Sequence, residues 1–217
     1  MITDKVLSEN RRDTDKPYRI VSFFTPQYKA EAEGFTANLR EWGMKYLVLG
    51  VACQGSWRLN CGMKAHFMQA MQHLYPTERL VWIDVDGRLH ADPVLFEALA
   101  GDFGAYFITN VQNIHRPHGP KSGLDGVASG TMFFNSTPDA KTLVDEWVRR
   151  EDADPKYDYE QMLLGEVVHD LERTDDIVVD RLPQRYCRVF DAKWVEQPSK
   201  VVVMHYQASR KHRRAIG

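Results

Sequence analysis

Three short apolar runs, rich in β-branched and aromatic residues, occupy positions 19–24, 46–51 and 80–83, and the segments between them, 30–42 and 59–74, carry apolar residues at helical spacing. A period of two alternating with a period of 3.6 predicts βαβ units and a largely parallel sheet, because parallel neighbours need a crossover long enough to hold a helix. Positions 104–109 and 130–135 read as two more strands, and the Gly-, Pro-, His- and Asn-rich stretch between them reads as a long surface loop of the kind that forms lids or binding loops. Helices are predicted over 140–150 and 157–169; Thr137 suits the cap of the first and Pro138 its opening turn. An extended run at 177–180, a turn at Leu182-Pro183-Gln184, a strand at 200–205 and a basic tail with Arg210, Lys211, Arg213 and Arg214 follow. Residues 1–17 are polar and aperiodic and end at Pro17, so a loosely held, flexible leader is expected ahead of a single domain over 18–217.

Composition narrows this picture without redirecting it. A chain of 217 residues with 43% hydrophobic content can bury one substantial core, and a formal net charge of -2 gives no global attraction to nucleic acid or an anionic membrane. Cys53, Cys61 and Cys187 are odd in number and lack metal-ligand spacing, which argues against a disulfide framework or a zinc site. The first residues lack a signal-peptide core and no stretch is apolar enough to span a bilayer, so no membrane insertion and a cytoplasmic location are expected.

The sharpest chemical feature is Leu80-Val81-Trp82-Ile83-Asp84-Val85-Asp86-Gly87, an apolar strand that delivers two carboxylates to its carboxyl end. In open α/β sheets ligands gather beyond the carboxyl ends of the strands. Hard divalent cations prefer oxygen ligands, so Asp84 and Asp86 are candidates to hold one ion together with a bridging diphosphate. The alternative is a strand followed by an Asx-type turn with both acids solvated.

From residue 18 to residue 210 the chain resembles the nucleotide-diphospho-sugar transferases of the GT-A type, whose D-x-D motif ends a strand in the middle of a Rossmann-like, mostly parallel, mixed sheet. Further segments match that family in order. Ile20-Val21-Ser22-Phe23-Phe24-Thr25-Pro26-Gln27-Tyr28 is similar to the strand and loop that hold the nucleotide, which implies base and ribose contacts for Thr25 and Tyr28; Tyr28 as a plain surface aromatic is the alternative. Gly55-Ser56-Trp57-Arg58-Leu59-Asn60, running on to Lys64, resembles the stretch where a Lys approaches the donor, against the alternative of a solvated helix Lys. Ala128-Ser129-Gly130-Thr131-Met132-Phe133-Phe134-Asn135 resembles the strand lining the donor-sugar pocket, where Gly130 permits close backbone approach and the flanking hydroxyls of Ser129 and Thr131 can bond sugar oxygens; a strand with one bulge is the other reading.

Asp158-Tyr159-Glu160-Gln161 looks like the acid-Gln segment beside the donor sugar, which implies catalytic roles for Asp158, Glu160 and Gln161. His205-Tyr206-Gln207-Ala208-Ser209-Arg210 resembles the segment whose His completes the metal shell, and an imidazole with two carboxylates suits Mn²⁺ better than Mg²⁺. The resemblance thus implies a metal-dependent glycosyltransferase that uses a nucleotide-diphosphate sugar, expected to be a UDP-sugar, with a pattern closer to retaining than to inverting enzymes. The acceptor stays open among saccharide, protein, metabolite and modified nucleic-acid base. Basic residues His115, Arg116, His118 and Lys121 and the tail offer local charge to a phosphate backbone. Two other functions remain: a haloacid-dehalogenase-type phosphatase, whose nucleophile strand Trp82–Asp86 also resembles although Arg88 stands where a Thr is usual there, and a non-catalytic nucleotide-sugar-binding module.

Overall fold

The computed structural model describes residues 5–10, 15–108, 126–153, 160–194, 196–197 and 199–216. In chain order the elements are β1 (Lys5–Asn10), β2 (Tyr18–Phe24), α1 (Lys29–Glu41), β3 (Tyr46–Gly50), α2 (Trp57–Leu74), β4 (Arg79–Ile83), β5 (Gly87–Leu89), α3 (Leu95–Ala98), β6 (Phe103–Ile108) and β7 (Gly126–Phe134). They continue with α4 (Pro138–Ala153), α5 (Glu160–Arg173), β8 (Val179–Arg181), β9 (Arg188–Val189), β10 (Val203–His205) and α6 (Ser209–Ile216). Among the described residues, β1-β3-β2-β4-β7-β6-β8 form a seven-stranded mixed sheet and β5-β10-β9 a three-stranded one. Strands β3, β2, β4, β6 and β8 run one way and β1 and β7 the other. This is the mostly parallel, mixed α/β sheet that the strand and helix alternation predicts.

Both faces of the sheet are covered, which is why its strands read as continuous apolar runs. In β4, Leu80 and Trp82 enter one core with Val21, Phe67, Met68, Met132, Leu143, Trp147 and Leu164, so α2, α4 and α5 cover that face. The alternate residues Val81 and Ile83 enter the other core with Ile20, Phe35, Leu39, Phe96, Phe133 and Val203, under α1, α3 and the small sheet. Helix ends follow local rules: Ser56 Oγ accepts the Leu59 N–H at 3.2 Å, and Thr137 Oγ1 accepts the Ala140 N–H at 3.2 Å.

Several boundaries differ from the pattern. Lys5–Asn10 is a strand antiparallel to β3 where the polar sequence predicts a loose leader; edge strands need backbone partners, not an apolar face. Strand β7 begins at Gly126 rather than 130, and its register against β6 shifts between Ala105 and Tyr106, whose partners are Met132 and Ala128. Ser129, Gly130 and Thr131 form the resulting bulge. The basic tail is helical as α6. The loop bearing His115, Arg116, His118 and Lys121 lies outside the described residues. No described helix is long and apolar enough to cross a membrane.

Candidate functional site

Strand β4 ends between two neighbours of opposite direction, parallel β2 and antiparallel β7, and there the chain leaves the large sheet. The Asp84 N–H still donates to the Gly130 carbonyl at 2.9 Å, and the Gly87 N–H to the Asp84 carbonyl at 2.7 Å, so Asp84-Val85-Asp86 is a tight turn joining the two sheets. A Cβ on Gly87 would stand 2.6 Å from Ile83 Cγ2 and 2.9 Å from the Asp84 carbonyl oxygen, so only glycine permits this turn. Strand β10 then lies antiparallel to β5 with His205 opposite Gly87.

One ligand atom each from Asp84, Asp86 and His205 lies within 4.8 Å of the others. Asp86 is fixed from both ends: Oδ2 accepts the Ala208 N–H at 2.9 Å, Oδ1 faces His205 Nδ1 at 3.4 Å, and its carbonyl accepts the Tyr206 N–H at 3.2 Å. His205 is buried, and Thr131 Oγ1 meets its Nε2 at 2.8 Å, which turns Nδ1 toward the carboxylates. Two carboxylates and an oriented imidazole are a donor set that fits a divalent cation.

Electrostatics tie the group together. Burial alone would lower the His205 pKa, but the Cys187 sulfur and the Asp86 carboxylate outweigh it and hold the imidazole up at about 10. Burial by itself would raise Asp86, yet the His205 hydrogen bond and charge keep its carboxyl below the ordinary value. Asp84 is raised, first by its enclosure and further by Asp86, against the pull of Lys64. With 39% of its side-chain surface open to the cleft, Asp84 keeps some of its water, which moderates that rise.

Lys64 is neither a solvated helix Lys nor a cation waiting in open space. It is buried, with Nζ 3.1 Å from Glu160 Oε1, 3.2 Å from Asp84 Oδ1, and 3.2 and 3.3 Å from the Ser129 carbonyl and hydroxyl oxygens. Burial opposes its charge, but Asp84 and Glu160 raise its pKa above the usual lysine value. Glu160 is buried too; Lys64 and the Ser129 hydroxyl at 2.8 Å overcome its burial and lower its pKa. Trp82 completes the arrangement by donating its indole N–H to Asp84 Oδ1 at 2.8 Å.

These groups line a cleft of about 640 Å³. Thr25 and Tyr28 lie on its wall, Thr25 buried and Tyr28 with its ring 4.5 Å from that of His212 in α6. Gln161 also lines the cleft, whereas Asp158 lies outside the described residues. Gly130 lines it as well, but the side on which a Cβ would project meets the His205 ring at 3.2 to 3.4 Å. Its missing side chain therefore makes room for the imidazole. The sequence reading gives the Thr131 hydroxyl to the donor sugar, whereas here it meets His205, and it does not single out Trp82 as a site residue. The bulge in β7 is the signal for Thr131, since bulges beside active sites re-aim side chains.

Residues 62–214 match the family model described as nucleotide-diphospho-sugar transferase. No curated protein sequence matches the chain. Among solved structures, a glycosyltransferase involved in glycosylation of the major capsid of PBCV-1 is similar over 92% of this chain and 98% of its own, with 14% identity and a TM-score of 0.65. The glycosyltransferase GlyE of Streptococcus pneumoniae TIGR4 is similar over 88% of this chain and 54% of its own, at 13% identity and a TM-score of 0.53. The bifunctional glycosyltransferase WbbM is similar over 92% of this chain and 47% of its own, at 12% identity and a TM-score of 0.54. At such identities these neighbours speak for the fold, and the family match covers most of the chain and includes the Asp84-Val85-Asp86 turn and His205. The chain therefore belongs to the nucleotide-diphospho-sugar transferase family, as a glycosyltransferase of GT-A fold, and not to the phosphatases that the Asp84 strand also resembles.

Proposed function

We propose that the chain transfers a sugar from a UDP-sugar to an acceptor hydroxyl, with Mn²⁺ held by Asp84, Asp86 and His205. The observation that carries this reading is the convergence of these three ligands, from two sheets, at one point of the cleft. A divalent cation bound there supplies positive charge against the departing diphosphate. Thr25 and Tyr28 hold the base and ribose, the ring by stacking and the hydroxyls by hydrogen bonds.

The buried Lys64–Glu160 pair keeps its charges turned on each other and positions Asp84 through the shared ammonium. Glu160 thus acts on the donor through Lys64, and Gln161, its neighbour on the cleft wall, presents an amide to the donor sugar; Asp158 belongs to the same group by its place in the acid-Gln segment. The Ser129 hydroxyl links that pair to the β7 bulge. The test is thermal stability with UDP or a UDP-sugar, with and without Mn²⁺, against GDP: a native-state ligand raises the melting temperature, and the rise should need the metal and favour UDP. Equal shifts without metal, or across all nucleotides, overturn the reading.

A further inference from the structure

Outside the cleft, the rim built by the small sheet carries rings that the donor chemistry leaves unused. Phe190 and Tyr206 are 49% and 47% exposed, and their centroids lie 6.2 Å apart with planes only 21° from parallel. Backbone pairing fixes this arrangement. Val189 and His205 are register partners across β9 and β10, and the Phe190 N–H donates to the His205 carbonyl at 3.1 Å. Val189 and His205 both line the cleft, so one step along each strand passes from cleft to rim. His90 extends the row, its Nε2 3.2 Å from the Tyr206 hydroxyl. At the other end the Arg210 guanidinium stands 5.8 Å from the Phe190 ring, pairs with Asp191, and also lines the cleft.

Single exposed apolar residues need no explanation, but two aligned rings held by a backbone ladder beside an active cleft are a built surface. Aromatic faces carry negative potential, which suits the C–H face of a pyranose ring. A carboxylate, a guanidinium and an imidazole at the two ends match the hydroxyls on its edge. A nucleobase also stacks on aromatic rings, but strand binding needs a net positive groove for the phosphates. At the rings themselves Arg210 is paired with Asp191, and an oligonucleotide drawn by the basic residues that follow it in sequence, Lys211, Arg213 and Arg214, is the contrasting outcome of the test.

We propose that Phe190 and Tyr206, with His90 and the Arg210–Asp191 pair, form the acceptor subsite and take a neutral saccharide by the apolar face of its ring. As an acceptor site, this rests on the donor reading of the cleft. The test is saturation-transfer NMR on the full chain with UDP and Mn²⁺, using methyl α-glucopyranoside, methyl β-galactopyranoside, maltose and lactose as probes and a single-stranded oligonucleotide as the contrasting arm. At least one sugar should bind. Phe190→Ala and Tyr206→Ala should each weaken it by about tenfold, the loss expected for one stacking ring, and Phe190→Tyr should restore it. UDP affinity in the same variants reports that the cleft is still folded.

Absence of binding by every sugar, or equal sugar binding in parent and alanine variants, overturns the proposal, as does an oligonucleotide that binds and is weakened by the same changes. Sugar binding that depends on both rings while UDP and Mn²⁺ fail to bind leaves a saccharide site standing and overturns the donor reading instead.

Discussion

Replacing Lys64 by Met tests the electrostatic logic of the site, because the substitution keeps the apolar stem and removes the charge together with its hydrogen bonds to Glu160 and Ser129. Lys64 and Glu160 are 6% and 7% exposed and lie 3.1 Å apart, so the change strands a carboxylate with almost no access to water. Breaking a buried pair from one side costs about 3–5 kcal/mol. Asp84, being more open, adds little to this. The pH dependence should also change sign. In the parent, the folded-state pKa of Glu160 lies below its ordinary 4.5, so its contribution is present above that value and is lost as pH falls through the folded pKa. Without Lys64, burial is left to raise the folded pKa, so the variant is penalised at neutral pH and recovers stability as pH falls and Glu160 takes up a proton. Urea unfolding of Lys64→Met between neutral and mildly acidic pH measures both effects. Adding Glu160→Gln should return most of the loss, since an amide strands no charge. A single variant within about 1 kcal/mol of the parent at neutral pH, with an unchanged pH slope, would refute the argument.

Three further outcomes follow from the same geometry. Asp86→Ala should abolish Mn²⁺-dependent UDP binding in calorimetry and also lower the melting temperature, since it leaves the Ala208 N–H and buried His205 without their carboxylate, whereas Asp86→Asn, which keeps an acceptor there, should lose the metal with a smaller loss of stability; near-normal turnover in either variant would sink the metal assignment. Gln161→Ala should lower single-turnover transfer by about a hundredfold and leave UDP affinity within about twofold, because a contact made with the sugar and not with the diphosphate reports in kcat. Gly130→Ala places a methyl 3.2 to 3.4 Å from the His205 ring, so it should cost about 1–3 kcal/mol by overpacking and weaken Mn²⁺ in titrations; unchanged metal affinity would show that the imidazole is not held where its ligand role requires.

How far the sequence could be read depended on the kind of pattern each part carries. The central strands and the Asp84-Val85-Asp86 turn were legible because β4 is buried on both faces, which forces a continuous apolar run, and the first acid after it marks where that run gives way to alternation of buried and partly buried residues. His205 was picked out by its place in a segment resembling the family's, after the apolar run that becomes β10, and not by a change in burial, since it is itself buried. Lys64 was placed at the donor by resemblance, but its pairing with Glu160, 96 residues away, lies beyond any local pattern, and a lysine on a helix is by itself nearly always solvated. Thr131 hides inside an apolar strand, where a hydroxyl in sequence looks like any β-branched residue, and its role depends on a register shift. Strand β1 carries no apolar alternation because its backbone, paired to β3, does the organising.

The large sheet is complete once β8 has been made at Arg181, yet the proposed metal ligand in β10 and the amide of Ala208 that fixes Asp86 are encoded after it. During synthesis the seven strands can therefore assemble while Asp84 and Asp86 still lack their third partner, 119 residues beyond Asp86. A nascent chain at that point would lack both His205 and the Tyr186, Val202 and Val203 side chains that close the core on the α1 side of the sheet, so that core and the centre would be completed together. The segment that closes the second core is also the one that brings His205 to the Asp84-Val85-Asp86 turn, so a ribosome-stalled product ending before β10 would be incomplete in both.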